Sequence, residues 1–208
     1  MKGVSWVEWA ISLGLFLFAV IIHEVSHGLV AYRLGDPTAK LAGRLTLNPL
    51  AHIDPVGMIL LPGLLVLIHA PFVFGWAKPV PVNFLNLRHP KRDMVWVGLA
   101  GPGSNLLMAA AGAYPLRAGL VGTNGWVGSL LVGFVVINLV LAVFNFIPIP
   151  PLDGSRILMG LLPRDAAYYL ALLEPFGFLL VLLLVSVGLV RQIVWPVVVW
   201  LLVGLGVR

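Results

Sequence analysis

Six apolar runs follow one another along the 208-residue chain, at 6–34, 56–74, 94–116, 126–149, 170–190 and 193–207, and they decide what it can fold into. A helix rises about 1.5 Å per residue, so about 20 apolar residues cross a hydrocarbon core roughly 30 Å thick. Hydrophobic residues make up 60% of the sequence and charged residues 10%, against roughly 45–50% and about 25% in soluble domains. That difference excludes a water-soluble globule. The length accommodates four to six crossings with short loops, which predicts one integral-membrane domain over residues 1–208 with the lipid bilayer as its surroundings. The first run follows a basic start, but it lacks a small-residue cleavage site and is too long for a signal peptide, so it reads as a retained helix.

The 13 Lys+Arg exceed the 8 Asp+Glu. The basic residues fall in the breaks between apolar runs, as in loops facing an anionic cytoplasmic leaflet, and no nucleic-acid site is expected. With no cysteine in the chain, any metal site has to be assembled from His, Asp and Glu.

The second run is interrupted by Pro62-Gly63 and, near its end, by His69-Ala70-Pro71. Residues 43–48 before it and 75–83 after it alternate in character and read as extended. The expected fold is therefore an all-α polytopic membrane protein, with four to five transmembrane helices plus a re-entrant helical hairpin flanked by short β-strands. Irregular backbone at that depth needs protein or a wet cavity beside it.

Glu24 lies deep in the first run, where an ionisable side chain is costly and points to function. Around it stands His23-Glu24-Val25-Ser26-His27, the H-E-x-x-H pattern. On a helix, positions i and i+4 share a face, so both imidazoles can bind one ion while Glu24 takes a proton from the attacking water. That is the arrangement of a zinc hydrolase, with one Zn²⁺ per chain. Two histidines satisfying each other or a neighbouring helix would be the alternative.

Catalytic zinc wants a third protein ligand and one open position. The candidates are His52, His69, His89, Asp36, Asp54, Asp93, Asp153, Asp165 and Glu174. Asp153 stands out because Pro148, Pro150 and Pro151 stop the preceding helix and Gly154 lets the backbone turn directly behind it. His23 and His27 sit in the C-terminal half of the first run and Asp153 just beyond the fourth. They can share an ion only if those two helices are parallel, which requires that the second run not cross. Lys+Arg then divide 10 to 3 rather than 8 to 5 between the two sides, the stronger asymmetry. The N-terminus is accordingly expected outside the cell membrane and the metal toward the cytoplasmic side.

Three motifs together now resemble a family: the H-E-V-S-H of 23–27, Gly101-Pro102-Gly103-Ser104-Asn105, and the N-x-x-P-x-x-x-x-D-G run from Asn145 to Gly154. In this order, over about residues 6–165, they resemble the site-2 proteases, which are intramembrane zinc metalloproteases. The resemblance implies His23, His27 and Asp153 as zinc ligands, Glu24 as general base, Asn145 as a group stabilising the oxyanion, and a transmembrane protein as substrate. It also implies a small membrane-associated sheet between the first two motifs. Larger members carry a PDZ or CBS domain; this chain looks like the compact form without either.

Asn105 could face the site, although helix packing explains it equally well. His52 and Asp54 could bond to a metal ligand or line a polar entry, or form a plain interfacial turn. His69 and His89 read as interfacial, Glu174 as lying near the cytoplasmic face, and the tryptophans near the run ends as interfacial belts. No G-x-S-x-G occurs, Ser104 has no evident His partner, and no intramembrane aspartate pair is present. The rival from another class is a metal or proton transporter using His23, Glu24, His27 and Asp153 as a relay. An inactive scaffold of the same fold would be a third reading, though no motif residue is missing.

Overall fold

The computed structural model describes residues 6–68 and 78–207. Proline-free from end to end, α1 (Trp6–Arg33) is one 28-residue helix. It stops where Gly35 takes a positive φ of 116° before Asp36-Pro37. Short pieces follow: α2 (Thr38–Leu41), a 3₁₀ turn at Pro49–His52, and a π-helical turn at Pro55–Leu60 that runs straight into α3 (Leu61–Leu67). After a 3₁₀ turn at Phe84–Asn86 come the long helices α4 (Pro90–Arg117) and α5 (Trp126–Asn145). The chain ends with α6 (Asp153–Leu161), α7 (Arg164–Ala171), a 3₁₀ turn at Glu174–Phe176, α8 (Gly177–Ser186) and α9 (Leu189–Gly204).

Four helical stretches are long and apolar enough to cross a membrane: Trp6–Arg33, Pro90–Arg117, Trp126–Asn145, and Arg164–Ser186 with its internal turn. The 16 residues of α9 measure about 24 Å, short of a full crossing alone. At the centre of the bundle α4 packs against α1, α5 and α6. Small residues allow the approach; a methyl on Gly112 would lie 2.9 Å from the Phe134 ring on α5. Ala109, Ala113 and Leu116 of α4, Val135 and Leu139 of α5, and Val194 and Val198 of α9 form the main apolar core.

Contacts fix the helix directions. His23 meets Asn105 and His27 meets Val97, so α1 and α4 are antiparallel. Phe18 faces Phe134, with ring centroids 6.5 Å apart, while His27 meets Asp153 beyond the end of α5, so α1 and α5 run parallel. The Arg88 amide donates to Leu34 O at 3.0 Å, so the segment between α1 and α4 leaves and returns at one end of the bundle. Gly177, opening α8, abuts Pro151 at that same end, whereas Gly206, just beyond α9, lies against Arg117 at the far end. Thus α8 and α9 together lead from one end to the other, bent at Gly188 with φ +71°. The close of α9 therefore lies at the end opposite to the metal site, not on the side that the 10-to-3 count of basic residues assumed.

Two expectations are corrected. Among the described residues there is no β-strand. Residues 44–48 form a bend because side chains take up their polar groups: the Arg44 guanidinium hooks onto Ala51 O, Asn48 N donates to Thr46 Oγ1, and His52 Nε2 bonds Thr46 O. Residues 78–83 are single and unladdered. Pro79 and Pro81 have no N–H to give, and the amides of Val80 and Asn83 go to the Glu24 and Asp36 carboxylates. The re-entrant hairpin is not supported either: Pro55–Leu67 is one short helical piece, started by Asp54 accepting from Val56 N and Gly57 N. Residues 75–77 of the second expected strand, as well as His69 and Trp76, lie outside the described residues.

Candidate metal centre

His23 and His27 sit one turn apart on α1, 6% and 8% exposed, with ring centroids 4.7 Å apart at an interplanar angle of 79°. Their Nε2 atoms are 3.1 Å from each other and 3.1 and 3.2 Å from Asp153 Oδ2. Asp153 reaches them because the three prolines end α5 early and Gly154 permits a very close return. A methyl on Gly154 would lie 2.5 Å from Ile147 O, so no larger residue fits behind this carboxylate.

The three donor atoms form a near-equilateral triangle. Tetrahedral zinc with bonds of about 2.0–2.1 Å sets its ligands about 3.3 Å apart, so the triangle matches. The other ring nitrogens are also engaged as a metal requires: His27 Nδ1 faces Val97 O at 2.6 Å and His23 Nδ1 faces Asn105 Oδ1 at 2.5 Å. A backbone carbonyl only accepts, so His27 carries a proton on Nδ1 and turns Nε2 toward the triangle. Gly101 on α4 keeps the space in front clear. A Cβ there would fall 2.6 Å from His23 Nε2 and closer still to His27 Nε2, about where an ion would sit. His23, His27 and Asp153 thus fit a divalent zinc-like ion with an open fourth position.

The triangle opens onto a cavity of about 320 Å³ lined by Glu24, Val80, Asn145 and Arg156 among others. One Glu24 oxygen accepts from the Val80 amide at 2.8 Å. Asn145 lines the cavity, but its amide donates to Leu141 O at 3.0 Å, within its own helix. Arg156, one turn after Asp153, reaches across to Glu174 at 2.5 Å and lies 5.1 Å over the Phe84 ring.

Asn105 is fully buried behind His23. His52 and Asp54 are brought neither into the cluster nor onto the cavity wall. Buried His52 ties its own loop to Lys78, whose amide donates to His52 O. Asp36, a candidate third ligand from the sequence, instead accepts from Thr38 N, Asn83 N and Asn86 Nδ2 and so ties 83–86 to the end of α1. Sequence reading missed Asn138, bonded to Asn105 at 2.9 Å. A polar residue two turns before Asn145 in an apolar run was the available signal.

The chain is 39% identical over 183 residues to the Bacillus subtilis protein named "Putative zinc metalloprotease YwhC", covering 84% of this chain and 80% of that one. It is 29% identical over 187 residues to "Putative zinc metalloprotease Rip2" of Mycolicibacterium smegmatis, covering 89% and 70%. "Zinc metalloprotease MJ0392" of Methanocaldococcus jannaschii is 24% identical over 202 residues, which are 96% of this chain and 49% of that protein. No family model and no solved structure matches the chain.

Proposed function

The chain belongs to the zinc metalloprotease family of YwhC, and from that membership we propose that it is an intramembrane zinc endopeptidase of the site-2 protease type. It hydrolyses peptide bonds in or near transmembrane segments, close to the cytoplasmic face of the cell membrane, with residues 1–208 acting as one domain. The observation that carries the reading is the His23–His27–Asp153 triangle beside Glu24 in helices apolar enough to cross a bilayer.

Zinc bound by His23, His27 and Asp153 supplies a Lewis acid for the scissile carbonyl and an acidified water. Glu24 takes the proton of the attacking water and returns it to the leaving amine as the C–N bond breaks. Val80 N–H steadies one Glu24 oxygen, which leaves the other for the water. Asn145 serves the carbonyl oxygen by releasing Leu141 O and turning its amide into the cavity it already lines. A transmembrane substrate unwinds before its amide reaches the site, and the 78–83 segment along the cavity offers backbone carbonyls to pair with it.

Zinc content and cleavage of a model transmembrane substrate, measured side by side, test this. Wild type is expected to hold one zinc per chain, and Glu24→Gln to keep that zinc while cleaving at least about 100-fold more slowly. Cleavage undiminished in Glu24→Gln overturns the reading. So does a wild type that moves ions in liposomes but cleaves nothing.

A further inference from the structure

We infer that Asn138 is a positioning residue: through Asn105 it decides which ring nitrogen of His23 is left free to face the metal space. The inference rests on the metal reading of His23 above and concerns how the chain prepares that ligand.

Asn138 lies in the middle of α5 and Asn105 in α4, both with 0% exposure. Asn138 makes two contacts: one end of its amide is 2.9 Å from Phe134 O, the other 2.9 Å from the Asn105 side chain. Phe134 O is a backbone carbonyl and can only accept, so the end facing it is the NH₂. Asn138 therefore shows its oxygen to Asn105. An oxygen also only accepts, so Asn105 turns its own NH₂ toward Asn138 and its oxygen toward His23 Nδ1, 2.5 Å away. His23 must then carry a proton on Nδ1, which leaves Nε2, 3.1 Å from both His27 Nε2 and Asp153 Oδ2, as the nitrogen for a metal.

The two histidines reach the same tautomer by different routes. His27 is set in one step by Val97 O, whereas His23 borrows the polarity of a helix carbonyl two amides away. With Asn138 replaced by an apolar residue, the Asn105 amide has no fixed sense. Flipped, its NH₂ would face Nδ1 and move the imidazole proton onto Nε2, where it blocks metal binding.

The test reads tautomer and zinc affinity rather than turnover. In metal-free wild type, ¹⁵N ring shifts are expected to show a proton on His23 Nδ1; an Nδ1 that carries none overturns the relay without any variant. By chelator competition, Asn138→Leu is expected to bind zinc about 10–100-fold more weakly, the range for groups that orient metal ligands, with His23 becoming a mixture of tautomers. Asn138→Asp accepts from Asn105 whether or not it is ionised, so it keeps the sense of the relay and is expected to stay within about threefold of wild type. A Leu variant that binds zinc as wild type does, or an Asp variant that loses as much as the Leu variant while remaining folded, overturns the proposal. A wild type that binds no zinc overturns instead the metal reading on which it rests.

Discussion

Gly101 shows how much of this site depends on an atom that is not there. Its missing Cβ would stand between the two imidazoles, 2.6 Å from His23 Nε2. Gly101→Ala is therefore expected to abolish stoichiometric zinc while α4 remains helical, since alanine favours helix over glycine by about 1 kcal/mol. Zinc analysis beside circular dichroism checks this, and an Ala variant with full zinc would refute it. Asp36 makes the complementary case for a buried charge. Burial would raise its carboxyl, but the Thr38 hydroxyl, Asn86 and the Asn83 and Thr38 amides outweigh that and hold it below the ordinary value of about 3.9. A group with a depressed folded-state pKa contributes its full stability above about pH 4 and loses it as the pH falls through the lower folded value. The thermal midpoint of wild type in detergent should thus drop as the pH falls below about 4, and that of Asp36→Asn should drop less; parallel curves would exclude Asp36 as the cause. His23, Glu24, His27 and Asp153 were legible in the sequence because helix spacing and proline stops place them. Asn138, Gly101 and Asp36 act across helices or loops, and no local spacing encodes which residues then meet.

At the level of elements, the 78–83 segment is where sequence pattern misled and why. Alternation suggested a strand and the segment forms none, since two prolines remove donors and the Glu24 and Asp36 carboxylates capture the amides of Val80 and Asn83. A methyl on Gly28 would lie 2.7 Å from Val80 Cγ1, so this strap rests directly on α1. Between Pro79 and Pro81, Val80 holds the single N–H available to Glu24. Val80→Pro deletes that donor and Val80→Ala trims only the side chain. The Pro variant is expected to lose roughly tenfold in turnover with zinc retained, in line with about 1.5 kcal/mol for a hydrogen bond to a charged group, and the Ala variant less than about threefold. Equal losses in both would assign the effect to packing of the valine instead. The helical hairpin failed for a related reason: Pro62-Gly63 looked like a turn, yet Leu61–Leu67 is helical through both, the proline falling where the π-helical turn passes into α3.

The whole molecule has two unlike ends. At the metal end lie the close of α1, the start of α4, the close of α5 and α6, and with them Arg33, Lys40, Arg44, Arg88, Lys91, Arg92 and Arg156. At the other end are the 118–125 loop and the close of α9, where Arg117 lies beside Gly206. Parallel α1 and α5 were legible in the sequence, because a shared ion demands them. The course of α8 and α9 was not, because apolar length alone counts two runs where end contacts join them into one passage. Lys and Arg are retained on the cytoplasmic side, so the crowded end, and with it the metal centre, should face the cytoplasm. The chain has no cysteine, so single cysteines report without background. Lys40→Cys and Lys91→Cys are expected to resist a membrane-impermeant maleimide in intact cells and to react once the cells are permeabilised, whereas Thr123→Cys reacts in both. Labelling of Lys40→Cys but not Thr123→Cys in intact cells would invert the orientation and put the catalytic end outside, leaving a cytoplasmic substrate face untenable.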